Sequence, residues 1–94
     1  MDVSARVRNT TDIRYVVHVW VAEREVDGSP FTLSPGETSP SFFVCHLERY
    51  PLPFPIPEVP PLRYTCEGGP SMANISVANG SVVDISSEAK GDED

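Results

Sequence analysis

Residues 13–26 read IRYVVHVWVAEREV, and this stretch decides the fold class. At a period of two, Ile13, Tyr15, Val17, Val19 and Val21 fall on one face, and Arg14, Val16, His18, Trp20, Ala22 and Arg24 on the other. The first face is apolar throughout, and β-branched and aromatic residues of this kind suit a pleated, half-buried surface. The second face mixes charge with Val16 and Trp20, so the strand is expected to be central, with those two partly covered. Prolines, β-branched residues and turn dipeptides interrupt every helical window elsewhere in the chain.

The same alternation continues on both sides. Toward the N-terminus, Val3, Ala5 and Val7 alternate with Ser4, Arg6 and Arg8, followed by turn chemistry in Asn9–Asp12 (NTTD). Toward the C-terminus, Asp27-Gly28 signals a turn and Phe31 and Leu33 resume the pattern. In the loop Ser34–Pro40 (SPGETSP), Pro35-Gly36 is placed for a type II turn. The prolines at 30, 35 and 40 mark an edge or a connection.

Ser41–Tyr50 reads as a strand with Phe43, Cys45 and Leu47 on its apolar face; Leu62, Tyr64 and Cys66 repeat the pattern. In MANISVANGSVVDIS (Met72–Ser86), Asn79-Gly80 is a hairpin signal. A three-residue loop, Ala78–Gly80, pairs Ile75 with Val83 and Ala73 with Ile85, gives one apolar face, and is the expected register. The sum is one all-β domain over residues 1–86, a small antiparallel β-sandwich of immunoglobulin-like or jelly-roll-like type with about six to seven short strands. Trp20 precedes both cysteines, so the Cys…Trp…Cys order of a standard immunoglobulin domain is missing. Residues 87–94 carry charge without large apolar side chains and read as a disordered acidic tail.

Between two of these strands lies YPLPFPIPEVPPLRY (Tyr50–Tyr64), with six prolines. Such a segment holds a polyproline II shape. It reads either as an ordered crossover plugging the core or as a stiff loop presenting Leu52, Phe54, Ile56 and Val59 to a partner protein, in the manner of an inhibitor. Pro57–Pro60 also spells a P-x-x-P match, which six prolines make almost unavoidable.

The chain has 94 residues, a formal net charge of −7 and seven basic side chains, too few and too scattered for a phosphate-binding surface. No run approaches the ~20 apolar residues that cross a bilayer, so membrane insertion is not expected. Asn9-Thr10-Thr11, Asn74-Ile75-Ser76 and Asn79-Gly80-Ser81 are acceptor triplets for N-linked glycans and favour a secreted, mature form; a cytoplasmic chain stays open. Cys45 and Cys66 could close a loop of about twenty residues, worth roughly 3 kcal/mol if bridged.

Catalytic inventory is sparse. Cys45 and His46 are strand neighbours and point to opposite faces, which argues against an activated thiol and against a zinc set with His18 and Cys66. Gly68-Gly69-Pro70 is a turn and not a phosphate cradle. No enzyme activity, cofactor or metal is expected. The leading expectation is a protein-recognition module acting through loops. The second is a carbohydrate or small-ligand site on Trp20, His18, Arg14 and Arg24; the third is a structural or assembly subunit.

Overall fold

The computed structural model describes residues 1–47 and 58–86. Its strands are β1 (Asp2–Asn9), β2 (Tyr15–Val21), β3 (Arg24–Glu25), β4 (Phe31–Leu33), β5 (Phe42–His46), β6 (Leu62–Cys66), β7 (Ser71–Ile75) and β8 (Ser81–Ile85). They form two sheets. One has three strands in the order β5-β1-β8; the other has the order β3-β2-β6-β7, with β4 also pairing β2. The described residues are all-β, and the two sheets are consistent with a small β-sandwich. The strand count exceeds the expected six to seven because the stretch expected as one strand is divided into β2 and β3.

β2 is central, as its two-faced pattern requires. Its Val17–Val21 half pairs β6, while β4 and β3 share its other edge at Tyr15–Val17 and Trp20–Val21. Val17, Val19 and Val21 are buried, together with Val3, Ala5 and Val7 of β1, Phe31 and Leu33 of β4, and Leu62, Tyr64 and Cys66 of β6. Phe31 and Phe42 stack at 5.8 Å between ring centroids and join the two sheets. Ile13, assigned to the core face by alternation, is 53% exposed because it precedes the strand.

The strand does not run on to Val26. Ala22 and Glu23 have φ of 50° and 65°, and Val21 pairs Arg24 while Trp20 pairs Glu25. This is a two-residue hairpin turn, which needs positive φ at both central positions. Neither residue carries the Asn or Gly signature, so the turn is invisible to sequence pattern. The Pro35-Gly36 turn forms as expected: Glu37 N–H donates to the Ser34 carbonyl at 2.9 Å, and Gly36 has φ of 82°. The Ser29–Pro30 peptide is cis.

The expected C-terminal hairpin does not form. β7 pairs β6 in one sheet, and β8 lies parallel to β1 in the other, with Ala5 opposite Ser81 and Val7 opposite Val83. Asn79-Gly80 still makes a turn, with Ser81 N–H donating to the Ala78 carbonyl at 3.0 Å and Gly80 at φ 88°, but it sends the chain across the sandwich. The first and last strands are therefore a parallel pair, where an antiparallel sandwich was expected.

β5 corrects a second expectation. Phe42 and Val44 are buried and Phe43 is 47% exposed, the reverse of the expected phase. The register slips by one residue between Val3 and Ser4: Ser4 faces Phe43, but Val3 faces Cys45. Val44 is the extra residue of a β-bulge. Beyond it, Cys45 and Leu47 return to the core side, as alternation had placed them.

Asn9 is a buried polar joint. Its Nδ2 donates to the carbonyls of Ile13 (2.8 Å) and Leu33 (2.9 Å), and its Oδ1 accepts from the Thr11 N–H (2.9 Å) and hydroxyl (2.6 Å). It is 0% exposed. The first triplet thus has a structural role, and its amide nitrogen is fully engaged.

Candidate functional site

Two surfaces concentrate chemistry. The first is the outer face of the larger sheet. The β2–β6 register sets His18 opposite Thr65 and Trp20 opposite Arg63. The Arg63 guanidinium carbon lies 4.9 Å from the Trp20 ring centroid, a cation–π contact. Trp20 Nε1 is buried with no hydrogen-bond partner among the described residues. A cleft of about 270 Å³ opens beside this pair, lined by Trp20, Glu23, Pro61, Arg63, Ala73 and Asn74 among others.

His18 sits between two carboxylates. Nδ1 is 2.7 Å from Glu25 Oε2 and Nε2 is 2.8 Å from Glu67 Oε2. Ser29 Oγ donates to the same Glu25 oxygen at 2.7 Å and accepts from the Val19 N–H at 3.0 Å. The hydrogen bonds to Glu67 and then Glu25 raise the His18 pKa above 6.5, against a smaller opposing effect of burial. Glu25 is held below its ordinary 4.5, first by the Ser29 hydroxyl and then by His18. Ser29 meets the carboxylate and not the imidazole, so this chain of contacts lacks the hydroxyl-to-imidazole link that activates a serine nucleophile.

Of the four residues assigned to a ligand face by alternation, the structure keeps two together. Trp20 and His18 share the outer face. Arg24 does not: the turn at Ala22–Glu23 reverses the phase, so Arg24 pairs Val21 and Glu25 takes the place beside Trp20. Arg14 is exposed one residue before β2. Arg63, Glu25 and Glu67 were missed. Their place beside β2 depends on strand register, which period-two alternation does not carry.

The second surface is a cleft of about 400 Å³ at the outer edge of β5. Phe43, Val44 and Cys45 form one wall, and residues 21–27 of the β2–β3 hairpin, apart from Glu23, form the other, with Pro60 between. β5 is the end strand of its sheet among the described residues. Phe43, opposite Ser4, is half-exposed there. Glu25, Asp27 and Arg24 supply the charges.

Leu52, Phe54 and Ile56 lie outside the described residues, as do the Tyr50–Pro51 and Phe54–Pro55 bonds. Val59 is described, and it packs partly buried against the core. Cys45 and Cys66 are free thiols on different sheets, Cys66 buried and Cys45 half-buried. Burial pushes the Cys66 thiol up to about 11. Among the described residues, no group of three His, Cys, Asp or Glu side chains is arranged to hold a metal ion. No family model, curated protein or solved structure matches the chain.

Proposed function

We propose that the protein is a non-catalytic recognition module that binds an extended segment of another protein along the outer edge of β5. The observation that carries this reading is the cleft of about 400 Å³ between β5 and the β2–β3 hairpin. An end strand offers backbone donors and acceptors to an added strand, and alternate side chains of that strand need pockets. The cleft supplies an apolar one, walled by Val21, Val26, Val44 and Phe43. Glu25 and Asp27 outnumber Arg24 in its lining and, with a chain charge of −7, favour a segment that carries Lys or Arg.

The layout also favours the immunoglobulin-like type over the jelly roll. Three strands face four strand positions, close to the unequal sheets of that class.

Peptide display against the folded protein tests this reading. Enriched sequences should alternate apolar residues, include a basic side chain, and bind Phe43→Asp at least about tenfold more weakly than wild type, since truncating an interface anchor commonly removes that much. Equal binding to both proteins, or no enrichment, contradicts it. Phe43 is half-exposed, so the substitution spares the core.

A second reading rests on the buried Trp20 indole N–H beside the smaller cleft. A small polar ligand, such as a sugar, would accept from it. Quenching or blue-shift of the single tryptophan by a glycan panel checks this; unchanged emission throughout removes it.

A further inference from the structure

A neutral imidazole carries one N–H, and its other nitrogen is a lone pair. Both ring nitrogens of His18 lie within 2.8 Å of carboxylate oxygens. Both contacts are attractive only when both nitrogens carry protons. The geometry therefore requires an imidazolium on the outer face of the larger sheet. The groups facing it are Glu25 from β3, Glu67 from the β6–β7 turn and the uncharged Ser29 hydroxyl and Thr65; Arg63 sits two residue pairs along, over Trp20.

We propose that His18 is a proton-operated staple: as an imidazolium it ties β3 and the β6–β7 turn to β2, and loss of one proton releases Glu67 while Glu25 stays. The asymmetry follows from the partners. Glu25 is 30% exposed, belongs to a paired strand and also accepts from Ser29; the Glu67 side chain is 62% exposed. A single remaining N–H stays with the better-held carboxylate. The turn then keeps its backbone ties: Glu67 N–H to the Val16 carbonyl at 2.9 Å, Gly69 N–H to the Cys66 carbonyl at 2.9 Å and Cys66 N–H to the Pro70 carbonyl at 3.0 Å. The face loses a positive charge and gains an unpaired carboxylate, so a ligand of this face would meet a more anionic surface in mild alkali. The staple does not depend on the partner-binding reading above.

NMR of the whole chain, labelled with ¹⁵N and ¹³C, tests it between pH 5.5 and 9. The expected result is a His18 midpoint above 6.5, two protonated ring nitrogens at pH 6, and a Glu67 side-chain carboxyl that moves with the same midpoint. Glu67→Gln should weaken His18 proton binding about tenfold, the usual effect of removing one adjacent opposite charge. A midpoint at or below 6.5, a Glu67 carboxyl that does not follow His18, or an unchanged midpoint in Glu67→Gln overturns the proposal. Glu67 is exposed on a turn, so that variant keeps the fold.

Discussion

Asn79 holds Ser4 at the start of the β1–β8 pair: its Oδ1 accepts the Ser4 N–H at 2.9 Å, and the N–H of the adjacent Gly80 donates to the Ser4 carbonyl at 2.8 Å. The side chain completes at Ser4 the ladder that β8 then continues along β1. An Asn-Gly pair that reads as a hairpin maker is here an anchor for a parallel strand. Asn79→Ala should destabilise the protein by about 1 kcal/mol, the ordinary net value of one hydrogen bond. Urea unfolding checks it. A neutral substitution would mean that the anchor is not made.

Asn9 should be far more sensitive. Truncation to Ala strands the Leu33 carbonyl and the Thr11 N–H at a buried site and leaves the Ile13 carbonyl only the Thr11 hydroxyl, at 2.9 Å. Each unsatisfied buried group costs about 1–3 kcal/mol, so a loss of roughly 3 kcal/mol or more is expected in chemical denaturation. The same contacts predict that folded, secreted material carries no glycan on Asn9. Glycopeptide mapping of that site is the check.

The turn at Ala22–Glu23 places two non-glycine residues in the left-handed region, which costs L-residues about 1–2 kcal/mol each. Replacing the pair by Asn-Gly suits the type I′ geometry. The double variant should be more stable by about 1 kcal/mol in urea. A less stable variant would contradict the turn.

Stability should fall on both sides of a plateau. His18 has a raised folded-state pKa, so its contribution is complete below about 6.5 and is lost as pH rises through the higher folded value. Glu25 has a depressed one, so its contribution is present above 4.5 and is lost as pH falls through the lower folded value. The melting temperature is expected to be highest between these limits, and the alkaline decline should disappear in His18→Gln. An alkaline decline that persists unchanged would assign it to another group.

Thiol chemistry gives an independent check on the core. Cys66 is buried with its thiol pushed up to about 11, and Cys45 is half-buried. At pH 8 the folded protein should react with iodoacetamide at Cys45 well before Cys66, since only the thiolate attacks. Equal rates would mean that β6 is not held as described.

Much of this architecture is legible in the sequence, and the failures have identifiable causes. Alternation finds β1, β2, β4 and β6 and assigns their buried faces, because inward and outward residues differ sharply in polarity. It fails at β5, where one bulge residue, Val44, shifts the phase, and at Ala22–Glu23, where the turn carries no turn residues. The pairing of β7 and β8 was misread because Asn79-Gly80 fixes a local turn and leaves the next strand's sheet to tertiary packing. Site residues suffer the same limit. Trp20 and His18 stand out by type, whereas Arg63, Glu25 and Glu67 reach them only through cross-strand register.

The most direct measurement of the central claim is a map of backbone amide shifts as a display-selected peptide is titrated into ¹⁵N-labelled protein. The account predicts changes at Phe43–Cys45 and along residues 21–27, with Trp20, Arg63 and Asn74 little affected. Changes confined to Trp20, Arg63 and Asn74 would contradict binding at the β5 edge and place recognition on the sheet face instead.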